Sequence, residues 1–166
     1  MVNHVPVALI RAVALDDWQV MRDVRLAALR EAPQAFGSTY AREASFTEAQ
    51  WRGRISDRAV TYVAYLPDLA EPAGIAGAYV EDDGSAELVS MWVRPAARGH
   101  KVGESLIEAT ASWARSNDFD TLYLWVTESN AQARRLYERY GFTETGERQP
   151  LPSDPAVPEI RMRRPL

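Results

Sequence analysis

Residues 86–107 read AELVSMWVRPAARGHKVGESLI, and this stretch decides the fold. Its first eight residues form an apolar run typical of a strand, and apolar residues recur at helical spacing from Val102 onward. Between the two elements, RGHKVG places Gly99 and Gly103 where the strand gives way to the helix. A helix start presents free backbone N–H groups and about half a unit of positive charge. The turn therefore either binds a phosphate or only connects the two elements.

Apolar runs and turn residues on both sides of this stretch predict the other elements. The predicted order is β-α-α-β-β-β-α-β-α-β-β, with three consecutive antiparallel strands before a βαβ crossover. We therefore expect an α+β fold, in which about four helices flank a mixed, mostly antiparallel twisted sheet of about seven strands. The predicted strands are 5–13, 61–66, 74–81, 86–93, 121–126, 141–147 and 159–166.

Capping signals predict where the other helices begin. The three predicted caps are Asp16 with Gln19, Thr47 with Gln50, and Ser129 with Gln132. The first helix is expected to run to about Glu31, before Pro33. The segment 33–46 has no clear period and is predicted to be a loop or a broken turn. The proline-rich segment 148–158 is predicted to be a rigid loop.

Composition and net charge limit the classes of partner that the protein is expected to bind. A length of 166 residues predicts a single domain over 1–166. The net charge of −4 supplies no basic footprint, so we expect neither nucleic acid nor an anionic membrane surface as a partner. No signal peptide and no membrane-spanning run is recognisable, so a cytoplasmic location is expected.

The scarcity of Cys and His limits which catalytic groups the chain can provide. The chain has no Cys, which excludes a thiolate nucleophile and Cys-ligated zinc. It has only two His, at 4 and 100, so a Ser-His-Asp triad or a multi-His metal site is hard to build. We predict no metal, and an acid or base drawn mostly from Asp, Glu, Tyr or Lys.

Two motifs together resemble one superfamily. A strand, then R-x-x-x-x-G, then a helix is similar to the acyl-CoA pyrophosphate loop of the bacterial GNAT N-acetyltransferases, usually written Q/R-x-x-G-x-G/A. Residues 130–142, NAQARRLYERYGF, match that superfamily's second signature, N-x-x-A-x-x-L-Y-x-x-x-G-F, at every stated position. The predicted element order also resembles the superfamily's mixed sheet and covers nearly the whole chain.

The resemblance implies that acetyl-CoA is the cofactor and acetyl donor. The fourth and fifth strands would splay apart, and the pantetheine arm would enter between them. One backbone N–H of 91–93 would polarise the thioester carbonyl. The residues implied to contact the cofactor are Met91, Trp92, Val93, Arg98, Gly99, His100, Lys101, Val102, Gly103, Glu104, Asn130 and Tyr137.

Lys101, the only lysine in the chain, stands where the family's loop has its middle glycine. If that position requires a positive φ, lysine is strained there. Its ammonium would alternatively reach the phosphates, or it would be an ordinary surface side chain. We expect the loop to remain able to bind.

Two residues are candidates for proton transfer when an amine attacks acetyl-CoA directly. Most aliphatic amines are protonated at pH 7, so a base must accept one proton. The resemblance places a base carboxylate eleven positions before Arg98, which is Glu87 here. An exposed charge at a strand end is an equally good interpretation, and Glu81 and Asp82 are alternative bases. The resemblance gives Tyr137 the role of protonating the departing thiolate, although core packing also fits it.

The acceptor site is expected from the resemblance in 35–46 and 148–155. Phe36, Ser38 and Tyr40 are its candidate residues, and Glu43 is a candidate to attract a cation. The first functional hypothesis is acetylation of a primary amine on a small molecule. Acetylation of a protein N-terminus or lysine, and binding of acyl-CoA without catalysis, are the alternatives. A homodimer is possible, because dimers are common in the family.

Overall fold

A seven-stranded sheet forms the centre of the computed structural model, which describes residues 7–166. The strands lie in the order β1-β2-β3-β4-β5-β7-β6, and every neighbouring pair is antiparallel except β4 with β5. The strands are β1 (Leu9–Ala12), β2 (Ala59–Tyr65), β3 (Gly74–Val80), β4 (Ala86–Val93), β5 (Thr121–Thr127), β6 (Thr143–Leu151) and β7 (Asp154–Pro165). The predicted mixed, mostly antiparallel sheet is confirmed.

Helices cover both faces of this sheet. The α-helices of the described residues are α1 (Trp18–Glu31), α2 (Tyr40–Ala44), α3 (Glu48–Arg52), α4 (Val102–Ser116) and α5 (Ala131–Arg139). On one face, α1 packs Val24 and Leu29 against Val63, Ile75 and Trp92 of the sheet. On the other face, α4 and α5 bury their apolar stripes against β4, β5 and β7. In β5, Leu122, Leu124 and Val126 are buried on the α4 and α5 side, whereas Tyr123 and Trp125 on the opposite face are only half-buried.

Several predicted boundaries are wrong, each for a local reason. The first strand was predicted over 5–13 but runs over Leu9–Ala12, and residues 5 and 6 lie outside the described part. Asp16 does not cap α1, because a 3-10 turn over Leu15–Asp17 precedes the helix. The segment predicted as a loop over 33–46 contains α2, which Thr39 caps by accepting from the Arg42 N–H. Five residues are too few to show a helical period.

The segment predicted as a proline-rich loop over 148–158 is instead part of a hairpin. β6 runs to Leu151 and β7 begins at Asp154, so only two residues form the turn. Proline lacks the N–H that an inner strand needs. Pro150 is tolerated because β6 is an edge strand, and Pro155 because β5 pairs with β7 only as far as Glu159. The predicted capping box of Thr47 with Gln50 at α3 is confirmed.

Candidate active site

A cleft opens between β4 and β5. The two strands pair only at Ala86–Leu88 with Leu122–Leu124, and beyond that point they have no ladder between them. A cavity of about 100 Å³ occupies the gap. Its lining includes Leu88, Val89, Ser90, Met91, Trp125, Val126, Thr127, Asn130, Leu136 and Tyr137. The splay implied by the family resemblance is therefore present.

A bulge in β4 marks the inner end of this cleft. Ser90 has a φ of +61°, a left-handed conformation that a serine rarely adopts. The pairing with β3 shifts here, from Gly77 opposite Val89 to Ile75 opposite Trp92. Strained backbone of this kind is kept where the surrounding structure holds it in place. Sequence reasoning missed Ser90, because nothing in SMW signals a positive φ.

A second cavity of about 360 Å³ lies on the α1 face of the sheet. It shares Val89 and Ser90 with the cleft, so the two cavities meet at the β4 bulge. Its lining consists of Met21, Arg25, Arg54, Val60, Thr61, Ile75, Gly77, Tyr79, Val89 and Ser90. This arrangement gives one binding space on each side of β4, with a common backbone segment between them.

The turn between β4 and α4 has the geometry of an anion cradle. Gly99 has a φ of +84°, and a Cβ added there would meet no atom within 4 Å, so its outer side is open. Lys101 occupies the N-cap position of α4 with a φ of +58° and makes no side-chain cap bond. The first N–H groups of α4 therefore have no capping side chain and can donate hydrogen bonds to an anion. The position does require a positive φ, so the condition under which lysine is strained is met.

Not every predicted residue of the turn presents its side chain to a ligand. Val102 and Gly103 are buried, and a Cβ at Gly103 would lie 3.1 Å from Leu136 Cδ2. His100 turns its Nδ1 to the carbonyls of residues 97 and 98. These three residues can offer only backbone or a tautomer-dependent contact, whereas Lys101 is exposed.

Two charged residues of the turn are held by protein partners. Arg98 pairs with Glu31 at the end of α1 at 3.0 Å. Glu104 lies 3.8 Å from Arg139 of α5. Arg98 remains about half exposed, since 48% of its side chain is accessible, so it can also contact a ligand.

Replacing Lys101 separates its backbone role from its charge. We expect Lys101→Gly to raise the unfolding free energy by about 1 kcal/mol, because glycine adopts the left-handed conformation without steric cost. Lys101→Ala removes the ammonium but keeps the strain, so its stability should match that of the wild type. Thermal unfolding checks the first effect. Equal CoA affinity in the wild type and both variants would show that the ammonium does not contact the phosphates.

The three predicted residues of β4 differ in what they offer. Met91 lines the cleft, and beyond Leu88 the β5-facing edge of β4 has no strand partner. Trp92 is buried on the α1 face, where its Nε1 donates to Glu31 at 2.8 Å. A ligand in the cleft could therefore contact the backbone of Trp92 and Val93, but not the Trp92 side chain.

Asn130 and Tyr137 both line the cleft from α5. Asn130, rather than Ser129, caps the helix, because its Oδ1 accepts from the Ala133 N–H at 3.2 Å. Tyr137 is buried and packs edge-to-face on Phe142. Burial raises the pKa of Tyr137, and no described residue hydrogen-bonds its hydroxyl. The phenol therefore stays protonated and keeps a free donor at the cleft.

Glu87 is buried in β4, with only 2% of the residue exposed. It faces Tyr79 across the β3–β4 pair, and Tyr79 donates to Glu81. Burial is the main cause that raises the pKa of Glu87 to about 7, and the charge of Glu81 adds to it, whereas Arg161 opposes the rise. The alternative of a fully exposed strand-end charge is excluded by this burial. Of the alternative bases, Glu81 lies beside Glu87, and Asp82 is exposed.

The predicted acceptor residues lie elsewhere than the 360 Å³ cavity. Phe36 lines the cleft instead, and Arg25 stacks 4.7 Å from its ring centre. The Tyr40 hydroxyl accepts from Arg30 at 2.6 Å. A hydrogen bond from Ser38 helps to lower the pKa of Glu43, which is fully buried. The expectation that Glu43 attracts a ligand cation is therefore wrong.

Sequence reasoning missed most of the cavity wall. Arg25 and Arg54 come from α1 and from the segment after α3, and Thr61 and Tyr79 come from β2 and β3. They are far apart in the chain, and only the register of the sheet brings them together. The described residues contain no group of three or more metal-ligating side chains placed for a metal. Within 7–166, no helix is both long and apolar enough to cross a bilayer.

A family comparison agrees with this geometry. Residues 23–142, more than half of the chain, match the acetyltransferase (GNAT) family. The chain belongs to this family.

Individual relatives extend the comparison. A mycothiol acetyltransferase of Stackebrandtia nassauensis is 40% identical over 62 residues, which are 37% of this chain and 20% of the relative. The structure of a GCN5-related N-acetyltransferase from Kribbella flavida covers 96% of this chain and 98% of its own, with a TM-score of 0.70 and 25% identity. A nourseothricin acetyltransferase structure covers 65% of each chain, with a TM-score of 0.59 and 28% identity. The chain spans about a fifth of the length of the curated relatives it matches.

Proposed function

We propose that the protein transfers an acetyl group from acetyl-CoA directly to a primary amine of a small molecule. The observation that carries the proposal is the meeting of two cavities at the β4 bulge. Tyr137 lines the cleft, and Glu87 lies behind Tyr79 of the second cavity without lining it. Two of the relatives bear the names of small-molecule acetyltransferases, for mycothiol and nourseothricin. The 360 Å³ volume is also that of a small-molecule pocket.

The cleft and the turn fit acetyl-CoA. The backbone edge of β4 beyond Leu88 offers hydrogen bonds to an amide-bearing arm, and Asn130 stands on the opposite wall. The uncapped start of α4, with Gly99 open beside it, suits a diphosphate. Bound there, acetyl-CoA supplies the activated acyl group. An N–H of the bulge segment would stabilise charge on the carbonyl oxygen.

Proton transfer divides between the two sides of β4. With a pKa of about 7, the Glu87 carboxyl is substantially ionised at neutral pH and can take a proton from the acceptor ammonium, through water beside Tyr79. The neutral amine nitrogen then forms the new C–N bond as the C–S bond breaks, and the second proton that this nitrogen loses neutralises the departing thiolate. A phenol with a raised pKa is a weaker acid than a thiol. Tyr137 therefore acts chiefly by donating a hydrogen bond to the departing sulfur.

Calorimetric titration of acetyl-CoA and free CoA, followed by a thiol-release screen against primary amines, tests the proposal. Binding of both, with release that depends on an amine, supports it. Binding without release for any amine would favour an acyl-CoA-binding protein without transferase activity. No binding of either would contradict it.

Tyr137→Phe keeps the ring and its packing on Phe142 but removes the hydroxyl. We expect kcat to fall about 100-fold, because the thiolate loses its donor. The KM for acetyl-CoA should change little. A matched substitution, Tyr140→Phe directly after the same helix, lies outside the cleft and should leave kcat unchanged. Equal turnover in Tyr137→Phe and the wild type would remove this role.

A further inference from the structure

Two guanidinium groups in the wall of the 360 Å³ cavity share one carboxylate. Arg25 donates Nε and Nη2 to Glu43 at 3.0 and 2.9 Å, and Arg54 donates Nη1 to Glu43 at 2.9 Å. Glu43 is fully buried and Arg25 is 8% exposed. Two positive charges and one negative charge leave a net charge of +1 beside the cavity. Arg54 borders the cavity with 35% of its side chain exposed, so its positive charge is accessible to an anion bound there.

Arg54 is the member of this cluster that has unused donors. The Nη1 group of Arg25 donates to the Ser90 hydroxyl at 3.1 Å. Among the described residues, Arg54 has only its Nη1 bond to Glu43, which leaves Nε and Nη2 for a ligand. The rings of Phe46 and Trp51 lie 5.2 and 4.9 Å from its guanidinium carbon and hold the group in place. Burial, aided by the charge of Arg25, lowers the pKa of Arg54, whereas the charge and hydrogen bond of Glu43 oppose this shift.

Another part of the cavity wall has the opposite character. Tyr79 borders the cavity, donates to Glu81 and faces Glu87 across the sheet. The side nearest the bulge meets the acetyl-donor cleft at Ser90. A ligand in this space thus has a cationic contact at Arg54, a tyrosine contact that adjoins two carboxylates, and access to the transfer point.

We propose that the acceptor is an amino carboxylate, and that Arg54 binds its carboxylate while its amine faces the β4 bulge. A planar carboxylate can accept two N–H bonds from one guanidinium, which fits the free donors of Arg54. It would also compensate the surplus charge of the cluster. This inference rests on the proposed acetyl transfer and specifies the class of its acceptor.

Matched acceptors test the inference. Thiol release is measured for a panel of amino acids, their carboxamides and the corresponding decarboxylated amines. We expect kcat/KM for a reactive amino acid to exceed that of its amide by about tenfold or more, because an unmatched cation must otherwise stay unpaired. In Arg54→Gln this ratio should fall to near one. Arg52→Gln, a surface neighbour paired with Glu48, should keep the wild-type ratio.

Failure of the inference can be distinguished from failure of the proposed function. Amides or plain amines that react as well as amino acids would overturn the inference and leave acetyl transfer standing. If no acceptor reacts, binding of the same panel is measured by calorimetry. Binding that requires the carboxylate and is lost in Arg54→Gln supports the proposed subsite. If no such carboxylate-dependent binding is found, the inference is overturned. If Arg54→Gln does not fold, Arg54→Lys retains the charge without the planar fork and should give an intermediate ratio.

Discussion

Glu87→Gln should lower kcat/KM by about 100-fold or more and remove the ascending limb of the pH–rate profile near pH 7. The wild-type limb is expected there because burial and Glu81 raise the pKa of Glu87 to about 7, and only the ionised carboxylate can accept a proton. Glutamine has a similar shape but cannot titrate. Steady-state rates from pH 5.5 to 9 for both proteins check the prediction.

The same substitution should stabilise the protein, which separates catalysis from folding. A carboxyl whose pKa is raised in the folded state favours folding only while it is protonated. The wild type therefore loses stability as pH rises from the ordinary carboxyl pKa to about 7. Glu87→Gln escapes this loss, so at pH 8 its unfolding free energy should be higher by on the order of 2 kcal/mol. Below pH 4 the two proteins should unfold alike.

Asp82→Asn is the matched control for this prediction. Asp82 is an exposed carboxylate near the same hairpin, and its side chain has no hydrogen bond or ion pair with a described residue. Its loss should leave both the pH profile and the stability unchanged. If the pH–rate profile of Glu87→Gln keeps the ascending limb, Glu87 is not the base. If the limb disappears in Asp82→Asn, Asp82 is the base.

Local signals explain which parts of the fold the sequence predicted. The apolar run of β4 predicted its bounds at Ala86 and Val93, and the Thr47–Gln50 capping box predicted the start of α3. These features depend on residues a few positions apart, and propensity and capping act at that range. The cleft between β4 and β5 came from the family resemblance, because splay is a property of the assembled sheet.

The acceptor side could not be predicted in the same way. Arg25, Glu43 and Ser90 lie 18 and 47 positions apart along the chain and meet only in the packed structure. The residues next to Glu43 in the sequence predict an exposed carboxylate. Glu43 can be buried only because two arginines pair with it in the folded structure. The positive φ of Ser90 likewise follows from the register shift between β3 and β4. Long-range pairing of this kind leaves no periodic trace.

The Arg25–Glu43–Arg54 cluster leads to the second large effect, on stability. Glu43→Gln keeps the side-chain shape but leaves two guanidinium groups without a counter-ion. Breaking a buried ion pair from one side typically costs 3–5 kcal/mol, so we expect the unfolding free energy to fall by about 3 kcal/mol. Chemical denaturation at pH 7 measures it. Glu48→Gln, at an exposed pair with Arg52, should change it by less than about 0.5 kcal/mol.

The pH dependence of this loss identifies its cause. Burial by itself would raise the pKa of Glu43, but the hydrogen bonds and charges of Arg25 and Arg54 outweigh it and hold the pKa below its usual value. Such a group contributes stability above the unfolded-state pKa and loses it as pH falls through the folded-state pKa. The difference in unfolding free energy between the wild type and Glu43→Gln should therefore be largest at neutral pH and decrease under strongly acidic conditions. A difference that stays constant with pH would mean that packing, and not charge, accounts for the cost, and Arg54 would then have no surplus charge to offer an anion.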